Sequence, residues 1–155
     1  MDAYIGLGTN LGDRAGNIRL AVIHLAATPD LDVCRLSSVM ENPAVGGPAD
    51  SPPYFNAVAK IETDLTPRRV LDRLLAIERE MGRVRRQRWE PRIIDLDLLL
   101  YDDQVINEPG LTIPHPRIGE RRFVLKPLAE LAPDLVHPVT GRTIRALLDE
   151  LPASS

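Results

Sequence analysis

The chain has one cysteine, two phenylalanines, three tyrosines and one tryptophan in 155 residues. A single cysteine, Cys34, excludes an internal disulfide and a cysteine-rich zinc site. Its setting in Val33-Cys34-Arg35-Leu36 reads as a strand with the thiol packed in the core. Aromatic content of 4% argues against an RNA-recognition sheet, which stacks bases on aromatic rings. No apolar run approaches the length of a membrane span, and Met1-Asp2-Ala3-Tyr4 lacks the basic start of a signal peptide. The expectation is a cytoplasmic protein with no membrane contact. No G-x-x-x-x-G-K-[ST] occurs, which excludes a P-loop, and Gly6-x-Gly8-x-x-x-Gly12 has the wrong spacing for a dinucleotide fingerprint. Those glycines read instead as a tight turn and close backbone packing.

Hydrophobic content of 44% and charged content of 26% are those of an ordinary globular protein. The length suits a single domain, residues 1 to 155, with its own core. Net charge is -3, yet residues 83 to 92 hold five arginines against one glutamate, a local +4, so the remainder carries -7. Nucleic-acid binders usually spread a basic face over the domain. Positive charge gathered in one segment favours a small polyanion, and no nucleic-acid partner is expected.

That segment, Gly82-Arg83-Val84-Arg85-Arg86-Gln87-Arg88-Trp89-Glu90-Pro91-Arg92, runs into Ile93-Ile94-Asp95-Leu96-Asp97, an apolar strand with two aspartates. Side chains at i and i+2 of a strand share a face, so Asp95 and Asp97 converge. The alternative is an amphipathic strand whose polar face meets water. Ile93 and Leu99 are expected on the same face as the aspartates, and carboxylates in an apolar face need a compensating charge. Paired carboxylates without a His/Cys cluster suit magnesium, which is held by a few carboxylates plus substrate phosphates. Guanidinium groups match phosphate oxygens. Metal, phosphate and an aromatic in sixteen residues indicate a nucleotide-using enzyme.

Ala3 to Gly8 reads as a first strand. Ile18, Ala21, Val22 and Leu25 form the core stripe of a helix that Pro29-Asp30 ends. Leu31 to Met40 and Asn56 to Thr63 read as strands. Thr66-Pro67 starts a helix with an N-cap hydroxyl and a proline at the first helical position. Val70, Leu74, Ile77 and Met81 form its core face, and Gly82 stops it. The aspartate strand runs to Tyr101, a short Val105-Ile106 piece follows, and helices near Arg122 to Leu131 and Thr143 to Leu151 close the chain. Strand, helix, strand, strand, helix, strand is the split βαβ order of a ferredoxin-like α+β domain: an antiparallel sheet with helices packed on it. Residues 42 to 53, with four prolines and two glycines, and residues 82 to 92 read as two long active-site loops that close over a site.

Three further residues stand out. His115, between Pro114 and Pro116, sits in backbone held extended, suited to a ligand phosphate or hydroxyl, or to a structural hydrogen bond. Asn56 offers donor and acceptor together, which matches the edge of a heterocycle; a strand-edge role is the alternative. Glu78, beside the core face of the second helix, can meet a ligand or pair with Arg83. His24 and His137 read as surface or packing residues.

Gly8-Thr9-Asn10-Leu11-Gly12, Tyr54-Phe55-Asn56-Ala57, Gly82-Arg83-Val84-Arg85, Arg88-Trp89-Glu90-Pro91-Arg92-Ile93-Ile94-Asp95-Leu96-Asp97 and Leu111-Thr112-Ile113-Pro114-His115-Pro116-Arg117 resemble the 6-hydroxymethyl-7,8-dihydropterin pyrophosphokinase family. The resemblance spans nearly the whole chain, in that family's order and spacing. It implies transfer of pyrophosphate from ATP, the co-substrate, to the pterin hydroxymethyl group, with AMP released, in folate biosynthesis. It further implies that Asp95 and Asp97 hold two magnesium ions, and that Arg83, Arg85 and Arg92 contact phosphates. Arg83 and Arg92 join the two aspartates as catalytic residues. Trp89 would lie near both substrates, with Glu78, Leu98, Thr112, His115 and Arg121 around the nucleotide. Asn42, Pro43, Val45, Tyr54, Asn56 and Phe123 would form the pterin pocket of a monomer. Three positions depart from the family's pattern: Leu75 stands where a glutamine can meet the nucleotide, Leu98 where isoleucine occurs, and Pro116 where an aromatic can follow the histidine. The implied chemistry is in-line attack of the hydroxymethyl oxygen on the β-phosphorus, dominated by positioning and charge stabilisation, with no dedicated base identified.

Overall fold

In the computed structural model, which describes residues 1–42, 53–82 and 93–152, the alternation of apolar residues along the chain resolves into a sheet covered on both faces. The elements are β1 (Asp2–Thr9), α1 (Arg14–Ala27), β2 (Leu31–Leu36), β3 (Met40–Asn42), β4 (Tyr54–Thr63), α2 (Pro67–Met81), β5 (Asp95–Tyr101), β6 (Ile106–Glu108), β7 (Leu111–Ile113), α3 (Arg122–Leu131) and α4 (Ile144–Glu150). The main sheet has the order β2-β4-β1-β5, with β3 also on β4, and every pairing is antiparallel. This is the ferredoxin-like arrangement expected from the element order. β1 and β4 are central, and β5 lies at an edge.

One face carries α1 and α2. Ile18, Ala21 and Leu25 of α1 and Val70, Leu74, Ile77 and Met81 of α2 bury against Ile5, Leu7, Ala59, Ile61, Leu96 and Tyr101. The Thr66 hydroxyl accepts from the Arg69 amide and caps α2, as its Thr-Pro start requires. The opposite face carries α3 and α4, whose Leu125, Leu128, Leu131, Ile144 and Leu147 pack on Tyr4, Val58, Leu99 and Leu100.

Four expectations are corrected. Leu31 to Met40 is not one strand. The Ser37 hydroxyl accepts from the Val58 amide at 2.8 Å, while Ser38 donates through both its amide and its hydroxyl to the Glu130 carboxylate at 2.9 and 2.7 Å. Side-chain bonds of this kind compete with the ladder and separate β2 from β3. Cys34 is exposed, because it is the extra residue of a bulge between Val33 and Arg35; it faces solvent rather than a core. Val105 lies outside β6 and is 60% exposed, and β6 pairs with β7, a strand the periodicity did not reveal. Ile93 does not share the aspartates' face: it packs with Ile94 against the α1/α2 core, since the strand begins only at Asp95. Leu99 does share that face, in the α3/α4 core.

β5 also carries a bulge. Tyr4 pairs with Leu100 and Ile5 with Leu98, which leaves Leu99 without a partner on β1. Consecutive residues Leu99 and Leu100 therefore both enter the α3/α4 core, and Tyr101 turns into the other core, where its hydroxyl donates to the Leu65 carbonyl at 2.6 Å.

Candidate active site

The register of three adjacent strands builds the floor of the site. Gly8 of β1 pairs with Asn56 of β4 on one side and with Asp95 of β5 on the other. Gly6 likewise stands between Val58 and Asp97. Residues in cross-strand register present their side chains to the same face, so the amide of Asn56 and the two carboxylates flank a row that carries no side chains. With strands about 4.8 Å apart, the two sides are roughly 10 Å apart at backbone level. A Cβ on Gly8 would lie 2.9 Å from Asn56 Nδ2, and one on Gly6 would touch Leu99 at 3.4 Å. The glycines are there because side chains would fill this trough.

Above the trough is a cavity of about 490 Å³. Its lining brings together Asn42, Tyr54, Asn56, Asp95, Asp97, Arg121 and Phe123, all of them expected site residues. Asn56 is 9% exposed, and its Oδ1 is buried with no hydrogen-bond partner among the described residues. Buried acceptors are nearly always satisfied, so this one awaits a donor from beyond the described residues. The Arg121 guanidinium lies 5.5 Å from the Phe123 ring centroid, a cation beside a ring on the cavity rim.

Asp95 is half-buried and Asp97 exposed. Among the described residues no group of three or more His, Cys, Asp or Glu side chains could hold a metal ion. Two carboxylates on one face suit magnesium that takes its remaining oxygens from water and phosphate, so the donor set fits the expected metal. The strand between them is pinned from α2, where Glu78 Oε2 accepts from the Leu96 amide at 2.8 Å. Glu78 is thus engaged within the protein, immediately behind the carboxylate pair.

His115 follows a cis Ile113–Pro114 bond. Its amide donates to the Leu99 carbonyl at 2.9 Å, tying it to β5, and its Nδ1 accepts from the Arg117 amide at 3.3 Å. That bond puts the ring proton on Nε2 of the neutral form. Burial pushes the His115 pKa down; the charge of Asp97 opposes this, and Arg121 and Arg117 reinforce it. Thr112 is exposed on β7. Leu98 turns its side chain into the α1/α2 core, so only its backbone faces the site's side of the sheet. Pro43, Val45, Arg83, Arg85, Trp89 and Arg92, and with them both expected loops except Asn42, Pro53 and Gly82 at their ends, lie outside the described residues.

Some cavity residues were not anticipated. Arg117, Glu120 and Arg122 line it. Arg122 holds the C-terminal end, donating to the Pro152 carbonyl at 3.0 Å, while its Nε is buried without a partner among the described residues. A run of charges gave no periodic signal by which to separate these roles. In sequence Gly6 and Gly8 look like packing glycines, and only the strand register reveals the row they form.

The family model for 7,8-dihydro-6-hydroxymethylpterin-pyrophosphokinase matches residues 4–133. The 2-amino-4-hydroxy-6-hydroxymethyldihydropteridine pyrophosphokinase of Methylorubrum extorquens is 45% identical over 152 residues, covering 98% of this chain and 94% of that protein. The Synechocystis protein of the same name is 42% identical over 149 residues, covering 96% of this chain and 75% of its own length. Among solved structures, the HPPK-DHPS of Plasmodium falciparum superposes with a TM-score of 0.77 over 96% of this chain at 17% identity. That likeness is one of fold, and the chain spans 45% of the solved one.

Proposed function

This chain belongs to the 7,8-dihydro-6-hydroxymethylpterin-pyrophosphokinase family, and from that premise we propose how its residues divide the work. The activity is ATP-dependent pyrophosphoryl transfer to the hydroxymethyl group of 6-hydroxymethyl-7,8-dihydropterin, a step of folate synthesis. Atom balance follows directly: the hydroxyl oxygen bonds to the β-phosphorus and releases its proton to solvent, the bond between the α,β-bridging oxygen and that phosphorus breaks, and AMP leaves.

The carrying observation is the row Asn56–Gly8–Asp95, with an unsatisfied acceptor at one end and a carboxylate pair at the other. In this reading the pterin lies at the Asn56 end. Asn56 Oδ1 accepts from a ring N–H, and Tyr54 and Phe123 bound the ring faces, with Asn42, Pro43 and Val45 completing the pocket. The hydroxymethyl group then points across the glycines toward Asp95 and Asp97, which hold two magnesium ions. Magnesium there would neutralise phosphate charge and lower the pKa of a coordinated alcohol. Arg83, Arg85, Arg92 and Arg121 hold the phosphates, with Trp89 beside the substrates. Thr112, the backbone of Leu98, and neutral His115, donating from Nε2, take the nucleotide. Glu78 belongs to this nucleotide side and also fixes β5 through the Leu96 amide. Catalysis then rests on alignment and charge stabilisation, with water kept out by the closed site.

We further propose that residues 1 to 155 act as one domain, as a monomer, in the cytoplasm, on two small-molecule substrates. Phosphorus NMR of a reaction containing ATP, magnesium and the pterin tests the central reading. AMP and a pterin diphosphate are expected. ADP would indicate a simple kinase, and free pyrophosphate a nucleotidyl transfer.

A further inference from the structure

Arg14, the first residue of α1, reaches back to the start of β4. Its Nη1 donates to the Pro53 carbonyl at 2.8 Å, and its guanidinium carbon stands 4.2 Å from the centroid of the Phe55 ring. Pro53 and Phe55 flank Tyr54, and Tyr54 and Asn56 both line the cavity. Alternation along the strand sends Phe55 toward the α1/α2 core, while Tyr54 and Asn56 face the site.

The backbone explains why such a grip matters. Pairing between β1 and β4 ends at Thr9 with Phe55, so Tyr54 overhangs the end of β1. Among the described residues its ladder partner is Asn42, the last residue of the three-residue β3. Arg14 supplies the support that β1 does not, holding the residues on either side of Tyr54 from the opposite face. A hydrogen bond to a charged donor and a cation over a ring act on the same short segment.

We propose that Arg14 is a positioning residue that sets the pterin-facing end of β4, fixing Tyr54 relative to Asn56 and thereby governing affinity for the heterocycle rather than for the nucleotide. The inference rests on the assignment of Tyr54 and Asn56 to the pterin pocket. Arg14 touches neither substrate in this arrangement and acts through Pro53 and Phe55.

Steady-state kinetics with pterin varied at saturating ATP, and then the reverse, tests it. Arg14→Ala is expected to raise the pterin KM about tenfold and to leave kcat and the ATP KM within about twofold. Arg14→Lys, which keeps a cation near the ring, is expected to recover most of that loss. Should the alanine variant fail to fold, Arg14→Gln keeps a donor for Pro53 without the cation and is expected to raise the pterin KM about threefold. Asn56→Ala serves as the reference for the pocket itself. If Asn56→Ala raises the pterin KM while the Arg14 variants leave it unchanged, or raise both KM values alike, the role of Arg14 is overturned and the pocket stands. A lysine variant as impaired as alanine would also overturn it, because a cation at that position would then not be what holds the segment. If Asn56→Ala leaves the pterin KM unchanged, the pocket assignment falls and the inference with it.

Discussion

Glu78 accepts a 2.8 Å hydrogen bond from the amide of Leu96, the residue between Asp95 and Asp97. β5 is an edge strand, and edge amides lack the neighbour that would pair them. The carboxylate substitutes for that neighbour at the position where a shift of the backbone would move both aspartates.

Glu78→Ala should therefore lower stability by about 1–3 kcal/mol, the usual cost of leaving a part-buried amide unpaired. It should also raise the magnesium concentration needed for half-maximal turnover. Glu78→Gln keeps an acceptor oxygen and should restore much of both. Thermal unfolding and a magnesium titration of kcat check this. An unchanged magnesium dependence in the alanine variant would show that β5 holds the aspartates without the clamp.

Replacing either Asp95 or Asp97 by alanine should reduce turnover by roughly 10³-fold or more while the fold persists, since a ligand of the transition-state charge is lost. Neither side chain is part of either hydrophobic core, so circular dichroism and melting temperature should stay near those of the parent. Near-parental turnover at saturating magnesium in either variant would remove the metal assignment.

Gly8→Ala is a sharper test of the trough than removal of a functional group. The new methyl would stand 2.9 Å from Asn56 Nδ2, so the buried amide must move. The pterin KM should rise about fivefold, with the ATP KM little changed, because one displaced hydrogen bond costs on the order of 1 kcal/mol. Calorimetric titration of pterin into the variant gives the same quantity directly. Parental pterin affinity would mean that Asn56 does not read the ring.

Buried His137 and half-buried His115 make stability pH-dependent in a defined window. Burial pushes the pKa of His137 below the ordinary 6.5, and burial does the same to His115 against the opposing charge of Asp97. Between the folded value and 6.5 the native state binds fewer protons than the unfolded chain. The stabilisation is therefore full above 6.5 and is lost as pH falls through the folded value. His137 Nδ1 accepts from the Val139 and Thr140 amides at 3.2 Å each, and protonation there would end both bonds. Melting temperature should fall as pH drops below the ordinary histidine value of 6.5, and His137→Asn, which keeps an acceptor, should flatten that slope. Glu130, held below its usual range by the Ser38 hydrogen bonds, acts only in more acidic solution, so the two effects separate. A slope identical in the variant would assign the pH response elsewhere.

Much of this was legible from local pattern, and most of the failures share a cause. The α2 core face, its Thr66-Pro67 start and the end of β5 at Tyr101 follow from periodicity and capping, which are properties of neighbouring residues. The convergence of Asp95 and Asp97 needs only the alternation of a strand. By contrast, exposed Cys34 and the break at Ser37–Ser38 depend on partners far along the chain, Lys60 and Glu130, while β7 is a three-residue strand too short to show a period. Gly8 is the clearest case. Its meaning lies in having Asn56 on one side and Asp95 on the other, a coincidence of three strands that no single stretch of sequence contains. Arg14 and Arg122 were hidden for the same reason, since their partners, Pro53 and Phe55 for one and Pro152 for the other, lie on other elements.

The bulge at Leu99 settles a conflict of parity. Asp95, Asp97 and Tyr101 all occupy odd positions of one strand, and a regular strand would send all three to the same side. Tyr101 is committed to the α1/α2 core by its bond to Leu65, so an unbroken alternation would drive both carboxylates into apolar surroundings. One supernumerary residue lets the strand serve a core at one end and a solvated site at the other. Leu99 is the residue of β5 left unpaired on β1, and its loss would leave both phases intact. Shortening the strand by one anywhere between Asp97 and Leu99, or between Leu99 and Tyr101, is absorbed by the same slack. A second deletion has nothing left to absorb it and must turn the aspartates over.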